Sequence, residues 1–333
     1  MSFKVVAKSG SAEGLEEQLK SIDAELIRAP LLTEDEIIQC AHDADAVVVG
    51  AVEPYSRRVI EALEKCKVMS RVGIGYDNID VAAATRCGIP VAYVPDASTG
   101  EVSSHAMALL LASSRKLIPI DRAVKEGGWQ PGSKAIIKIR SNILRLSEQT
   151  LGLFGLGRIG SAVCQKAKTF GLRTLVCDPW VPSSAIEELG AEPADFDRLL
   201  TESDYISLHA PLTKETRHVF SLPQFQKMKP AAYLINTARG GLVDEEALVT
   251  ALSQGYIAGA GLDVTDPEPP KPDNPLLKME NVIVTAHTAF YSQGSVRELS
   301  QSTAEAVVDA LSGKWPSRLA NPIVKKQDNR RIR

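Results

Sequence analysis

Leu151-Gly152-Leu153-Phe154-Gly155-Leu156-Gly157-Arg158-Ile159-Gly160 decides how this chain is read. Thr150 to Phe154 has the apolar character of a short buried strand, and Gly155, Gly157 and Gly160 follow it as G-x-G-x-x-G. A helical pattern then runs to about Phe170. Strand, glycine turn and helix in that order make a seat for a pyrophosphate. Gly155 permits the tight turn, Gly157 lets the backbone approach the phosphates, and Gly160 lets helix and strand pack closely. The open N–H groups at the helix N-terminus complement the phosphate charge. A second strand, Arg173–Cys177, ends at Asp178, about twenty residues past the glycines. A carboxylate there is placed to accept hydrogen bonds from the adenosine ribose of a dinucleotide.

Working outward, strand and helix patterns alternate on both sides. Before the motif the strands are Lys4–Lys8, Glu25–Arg28, Ala46–Val49, Lys67–Val72 and Ile89–Tyr93. Helices are expected at Ala12–Ser21, after the capping box Thr33-Glu34-Asp35-Glu36, at Arg57–Lys65 and at Asp80–Cys87. The continuous apolar run Ala46–Val49 suits a strand buried on both faces. A single long helix is expected over Gly100–Lys125, with an apolar stripe through Val102, Ala106, Leu109 and Leu110. Residues 129–147 carry weak periodicity. From Thr150 on, six strands are expected near 151–154, 173–177, 205–208, 232–236, 257–262 and 282–285, with helices near 158–170, 183–189, 222–228 and 244–254. A last helix, 292–312, is expected to return to the first unit.

The fold class is therefore α/β. A Rossmann dinucleotide-binding domain over 99–290 is expected beside a discontinuous, flavodoxin-like α/β substrate domain, 1–98 plus 291–333.

Composition bounds the function. The chain has 333 residues, enough for about two domains, and a net charge of -3 that offers no attraction to nucleic acid or to a membrane surface. No apolar run of about 18 residues exists to span a bilayer. The five cysteines show no C-x-x-C pair and read as reduced thiols, and Met1–Val6 leads straight into a strand pattern without a signal peptide, so a cytoplasmic location is expected. The basic tail from Lys325 to Arg333 reads as a solvated end. No group of residues has metal-ligand spacing, and no metal is expected.

Two residues at strand ends could do chemistry. Arg239 follows the strand ending at Asn236, at the edge where open α/β folds bind ligands. Its guanidinium can grip a carboxylate with two hydrogen bonds and polarise an adjacent carbonyl. His287 follows the strand 282–285 at the same edge. Reduction of a 2-keto acid needs a proton for the carbonyl oxygen, and an imidazole suits that transfer. Glu268, in the Pro-rich loop after Asp263, can bond and orient the ring and favour its protonated form.

Several blocks in order resemble the D-isomer-specific 2-hydroxyacid dehydrogenase family over nearly the whole chain. They are Asp77-Asn78-Ile79-Asp80 after Gly73 and Gly75; Gly155–Gly160; Asn236-Thr237-Ala238-Arg239-Gly240-Gly241 with Val243-Asp244; Gly261-Leu262-Asp263-Val264; Pro267-Glu268-Pro269; and His287. Within the family the chain is similar to the C-terminal-binding-protein and phosphoglycerate dehydrogenase branches. The resemblance implies NAD as cofactor and a small 2-keto or D-2-hydroxy acid as substrate. It makes Arg239, Glu268 and His287 the catalytic set. It implies cofactor contacts from Gly155, Gly157, Arg158, Ile159, Gly160, Asp178 and Pro179, from His209, Ala210, Pro211 and Thr216, and from Thr237, Ala238 and Asp263. Substrate contacts are implied for the backbone N–H groups of Val72 and Gly73, for Arg71 toward a distal anionic group, and for Phe290. His42, His105 and His218 are left as structural. The 100–147 region is similar to the arm through which the family forms homodimers. Two departures stand out: Ala286 precedes His287 where the family has Pro, and Phe290 stands where one branch has Trp. The rival reading is an NAD-sensing corepressor-like binding protein, which shares the same three residues.

Overall fold

Five strands build a first sheet: β1 (Phe3–Lys8), β2 (Ala24–Ala29), β3 (Ala46–Val49), β4 (Val68–Arg71) and β5 (Val91–Tyr93). They lie in the order β2-β1-β3-β4-β5, every pairing parallel, which is the flavodoxin-like order. All four residues of β3 are buried, because helices cover both faces of this central strand. Seven strands build a second sheet: β6 (Thr150–Phe154), β7 (Arg173–Cys177), β8 (Glu192–Pro193), β9 (Tyr205–Leu208), β10 (Tyr233–Asn236), β11 (Gly259–Leu262) and β12 (Val282–Val284). Their order is β12-β11-β10-β9-β6-β7-β8, again parallel throughout. The chain order reverses between β6 and β9, and the glycine motif leaves β6 at that switch point. This computed structural model describes residues 2–10, 14–326 and 331–332. It divides into two units, Met1–Ser98 with Tyr291–Arg333, and Thr99–Phe290.

The helix Gln293–Leu311 belongs to the first unit. Its Ala304, Val307, Ala310 and Leu311 pack with Val5, Ala7, Val48 and Val68 of that sheet. Each buried valine or leucine there contributes about 1.5–3 kcal/mol and each alanine methyl less. Thr303 is anchored as well, since the Ser70 hydroxyl donates to its carbonyl at 3.1 Å.

In the second unit the helix Thr99–Ser114 buries the expected stripe of Val102, Ala106, Leu109 and Leu110. It does not continue to Lys125. Lys116 adopts φ 54, a left-handed conformation that ends the helix, and a separate helix, Leu117–Ala123, begins after it. A continuous apolar periodicity cannot reveal a single reversed dihedral. The weakly patterned 129–147 region holds a helix of its own, Lys134–Arg140, with Ser133 capping the Ile136 N–H. The two-residue strand β8 and the helix Phe196–Glu202, started by Asp195, also lie outside the expected set. The first helix is shorter than expected, Leu15–Leu19 with a 3-10 turn over Lys20–Ile22; residues 12–13 of that expectation, and 327–330 and 333 of the basic tail, lie outside the described residues. Thr33 forms the expected capping box with Glu36. All five cysteines are free thiols. No helix among the described residues is long and apolar enough to cross a membrane, and no group of three possible metal ligands occurs among them.

Candidate active site

Asn236, Leu262 and Val284 sit in register across β10, β11 and β12. Arg239, Asp263 and His287 therefore leave the sheet at one edge, from three adjacent strands about 4.8 Å apart. Asn236 shapes the first of these loops: its side chain donates to the Arg239 carbonyl at 2.8 Å and accepts the Ala238 N–H at 3.0 Å. Gly240 follows, and a Cβ there would lie 2.0 Å from the Thr265 carbonyl oxygen. Only glycine lets the Arg239 loop lie against the loop that carries Glu268.

Glu268 and His287 meet directly. Nδ1 of His287 lies 2.5 Å from Oε1 of Glu268, and both side chains are about one quarter exposed. The carboxylate accepts a hydrogen bond from Nδ1–H, which leaves Nε2 as the nitrogen able to exchange a proton. Phe290 stands edge-on to the imidazole, ring centres 6.2 Å apart.

Asp263 holds this arrangement from below. It is 1% exposed. Its Oδ1 accepts from the Thr288 N–H at 2.9 Å and from the Thr285 hydroxyl at 2.5 Å, and its Oδ2 accepts from the Ala289 N–H at 2.9 Å. Its own carbonyl accepts the His287 N–H at 2.8 Å. His287 has φ 50. A non-glycine residue in that region costs on the order of 1–2 kcal/mol, and it persists where surrounding bonds over-determine it. The carboxylate expected among the cofactor contacts is thus taken up by the loop that presents the histidine.

The glycine motif has the geometry its residue types demand. Gly155 has φ 96, and a Cβ there would lie 2.7 Å from the Ala210 N. A Cβ on Gly160 would lie 2.4 Å from the Gly155 carbonyl oxygen. A Cβ on Gly157 would meet nothing within 4 Å, so the space above the helix Arg158–Thr169 is open toward its N-terminal turn, where Arg158 and Ile159 lie. These features suit a dinucleotide pyrophosphate. Asp178 accepts the Leu156 N–H at 2.8 Å and the Trp180 N–H at 2.9 Å, which fixes its carboxylate beside the motif, with Pro179 between the two anchor points. His209 donates its backbone N–H to Phe154 and bonds Ser207 through Nε2 at 2.9 Å. Burial pushes the His209 imidazole down to about 4, so this ring is neutral at neutral pH. The Thr216 hydroxyl closes the turn that begins at Pro211 by donating to its carbonyl at 2.7 Å. The Thr237 hydroxyl oxygen is buried without a hydrogen-bond partner, next to Ala238.

In the first unit the loop after β4 departs from expectation. The Val72 N–H donates to Val49 and the Gly73 N–H to Arg71, both at 2.9 Å. Those two donors are spent inside the fold, so they do not form the expected carboxylate seat. Arg71 is 5% exposed and bonds the Val72 carbonyl, its guanidinium lying under Gly73. It is folded beneath the loop rather than extended toward a distal anion. Telling which N–H groups of a glycine-rich turn are free requires knowing that β3 lies alongside, which no local pattern contains.

Residues 107–289 match the family model described as D-isomer specific 2-hydroxyacid dehydrogenase, NAD binding domain. A glyoxylate reductase of Korarchaeum cryptofilum is 41% identical over 290 residues, covering 87% of this chain and 86% of that protein. A D-3-phosphoglycerate dehydrogenase of Archaeoglobus fulgidus is 39% identical over 282 residues, 85% of this chain but 52% of that longer protein. Among solved structures, D-lactate dehydrogenase from Aquifex aeolicus, complexed with NAD and lactic acid, superimposes with a TM-score of 0.82 at 30% identity, covering 95% of this chain and 98% of that one. Matched over more than half its length by the family model, and over most of it by such relatives, the chain belongs to the D-isomer specific 2-hydroxyacid dehydrogenase family and is an NAD-dependent oxidoreductase.

Proposed function

We propose that this protein interconverts a small 2-keto acid and its D-2-hydroxy acid, with Arg239, Glu268 and His287 as its catalytic residues. The reading is carried by the Glu268–His287 pair, which leaves Nε2 as the reacting nitrogen. NADH, when bound, supplies the hydride that reaches the carbonyl carbon. Arg239 binds the substrate carboxylate and polarises the neighbouring carbonyl. The imidazolium Nε2–H of His287 protonates the carbonyl oxygen, and Glu268 keeps the ring oriented and balances its charge. Asp178 receives the ribose hydroxyls, while Thr237 and the turn from His209 to Thr216 line the cofactor.

For the substrate we favour a compact acid of the glyoxylate or hydroxypyruvate kind. The 41% identity to a glyoxylate reductase supports this. We also propose a two-fold homodimer. Leu117, Ile118, Trp129, Ile137 and Leu144 expose an apolar surface on the 117–144 region, and a second copy would cover it. Light scattering that returns a monomer at micromolar concentration would refute the dimer. The activity is tested by following NADH absorbance with glyoxylate, hydroxypyruvate, pyruvate and 3-phosphohydroxypyruvate. Turnover with the first two is expected to exceed that with the phosphorylated acid, and absence of turnover with all four would overturn the proposal.

A further inference from the structure

His105 lies on the helix Thr99–Ser114, far in sequence from every residue assigned a role above. Its Nε2 is 2.9 Å from the Thr285 hydroxyl oxygen and 3.7 Å from Oδ1 of Asp263. The second distance is too long for a hydrogen bond, so the connection runs through the hydroxyl. That hydroxyl has one proton, and its 2.5 Å approach to the Asp263 carboxylate commits the proton there. Toward His105 it can only accept, so the ring must carry a proton on Nε2. Asp263, so bonded, accepts the N–H groups of Thr288 and Ala289 with its side chain and that of His287 with its carbonyl. The chain of bonds from His105 to the backbone of His287 has no gap.

The helix is held in place for this contact. A Cβ on Gly261 of β11 would lie 3.0 Å from Leu109 Cβ, so the glycine lets the helix settle directly on the strand. His105 is one turn before Leu109 on the same helix face, about 6 Å along the axis. Asp263 is two residues past Gly261, about 6.6 Å along the strand. With Leu109 seated over Gly261, the two spacings bring His105 over Asp263.

We propose that His105 is a positioning residue for proton transfer: acting through Thr285 and Asp263, it fixes the left-handed turn that presents His287. The inference rests on the reading of His287 as proton donor. It places the specificity of the effect in turnover and not in binding, because neither His105 nor Thr285 is assigned to substrate or cofactor.

Steady-state kinetics on the full chain with NADH and glyoxylate test it. His105→Leu is expected to lower kcat about 10-fold, since small misplacement of a reacting group is costly, with the KM for NADH changed by less than about twofold. The solvent deuterium isotope effect on kcat should rise as proton transfer becomes limiting. His105→Gln, which can still offer an N–H to Thr285, should recover most of the loss. Thr285→Val should match His105→Leu, and the double variant should be no worse than either, because one chain of bonds is being cut twice. Near-normal kcat in His105→Leu or Thr285→Val, additive losses, or no rescue by Gln would overturn the proposal. Should His105→Leu fail to fold, Thr285→Val and His105→Gln carry the same test. His287→Ala run alongside separates the two claims. If it retains turnover, the reading of the donor fails; if it alone loses turnover, only the role of His105 fails.

Discussion

The glycine loop after β6 and the His287 loop after β12 leave the same sheet at the same edge, yet they are built on opposite principles. The glycine loop works through side chains it lacks: a Cβ on Gly155 or Gly160 would strike backbone at 2.7 or 2.4 Å, while the direction at Gly157 is open. The His287 loop works through one side chain buried beneath it, the Asp263 carboxylate, which gathers three N–H or O–H donors and holds His287 at φ 50. One loop is shaped by excluded volume, the other by hydrogen-bond saturation. Binding a cofactor asks only for close approach of the backbone. Delivering a proton asks that one ring nitrogen stay in one place, which a flexible chain achieves only when its turn is over-determined.

The comparison breaks most visibly at His287. His287→Ala should lower turnover by roughly 10²–10⁴ while NADH binding, followed by quenching of protein fluorescence, stays near normal. Loss of cofactor binding in that variant would mean that the two loops are not separate in function.

Asp178 sharpens the comparison next. It anchors the Leu156 and Trp180 N–H groups, and in the proposed function its carboxylate also receives the ribose hydroxyls. A 2′-phosphate would meet that anion in a partly desolvated site. Asp178→Ala should weaken NADH use and narrow the preference over NADPH by roughly 10²-fold. Comparable kcat/KM for the two cofactors in the unmodified protein would sink the assignment.

Gly160→Ala is expected to do less. The added methyl meets the Gly155 carbonyl, a backbone atom that cannot step aside, so the helix Arg158–Thr169 must shift. NADH affinity should fall about 10-fold and stability by about 1–3 kcal/mol. Unchanged affinity in titration calorimetry would mean that close packing at Gly160 does not set the phosphate seat.

The smallest effect is one of pH. Burial holds the His209 imidazole down to about 4, below its usual range. The unfolded chain takes up this proton as pH drops through about 6.5, and the folded protein does not until about 4. This contribution to stability is therefore full above pH 6.5 and is lost on acidification toward 4, amounting to about 1–2 kcal/mol by pH 5. Wild-type protein should lose more melting temperature between pH 7 and pH 5 than His209→Gln, and parallel losses would remove His209 as the cause.

Much was legible in the residues alone. Periodicity marked eleven of the twelve strands within a residue or two of where they lie, and the glycine motif with Asp178 was readable because residue type and spacing carry that device. Arg239 and His287 stand out as candidates because each follows a strand closely, a position that sequence can count to, and Glu268 stands out through the block Pro267-Glu268-Pro269. Three things lay beyond that reach. The helix expected over Gly100–Lys125 turns aside at Lys116 through one reversed dihedral, to which apolar spacing is blind. Val72 and Gly73 looked available until the neighbouring Val49 carbonyl and the Arg71 carbonyl claimed their N–H groups. Asp263 and His105, 158 positions apart by number, became one network only when Gly261 let a helix settle on β11. Sequence determined which groups of this protein are chemically able, because residue type and spacing along a strand or helix are local. Tertiary structure decided which of them are free and which are already engaged, because a hydrogen bond has two ends and the second end is supplied by a distant part of the chain.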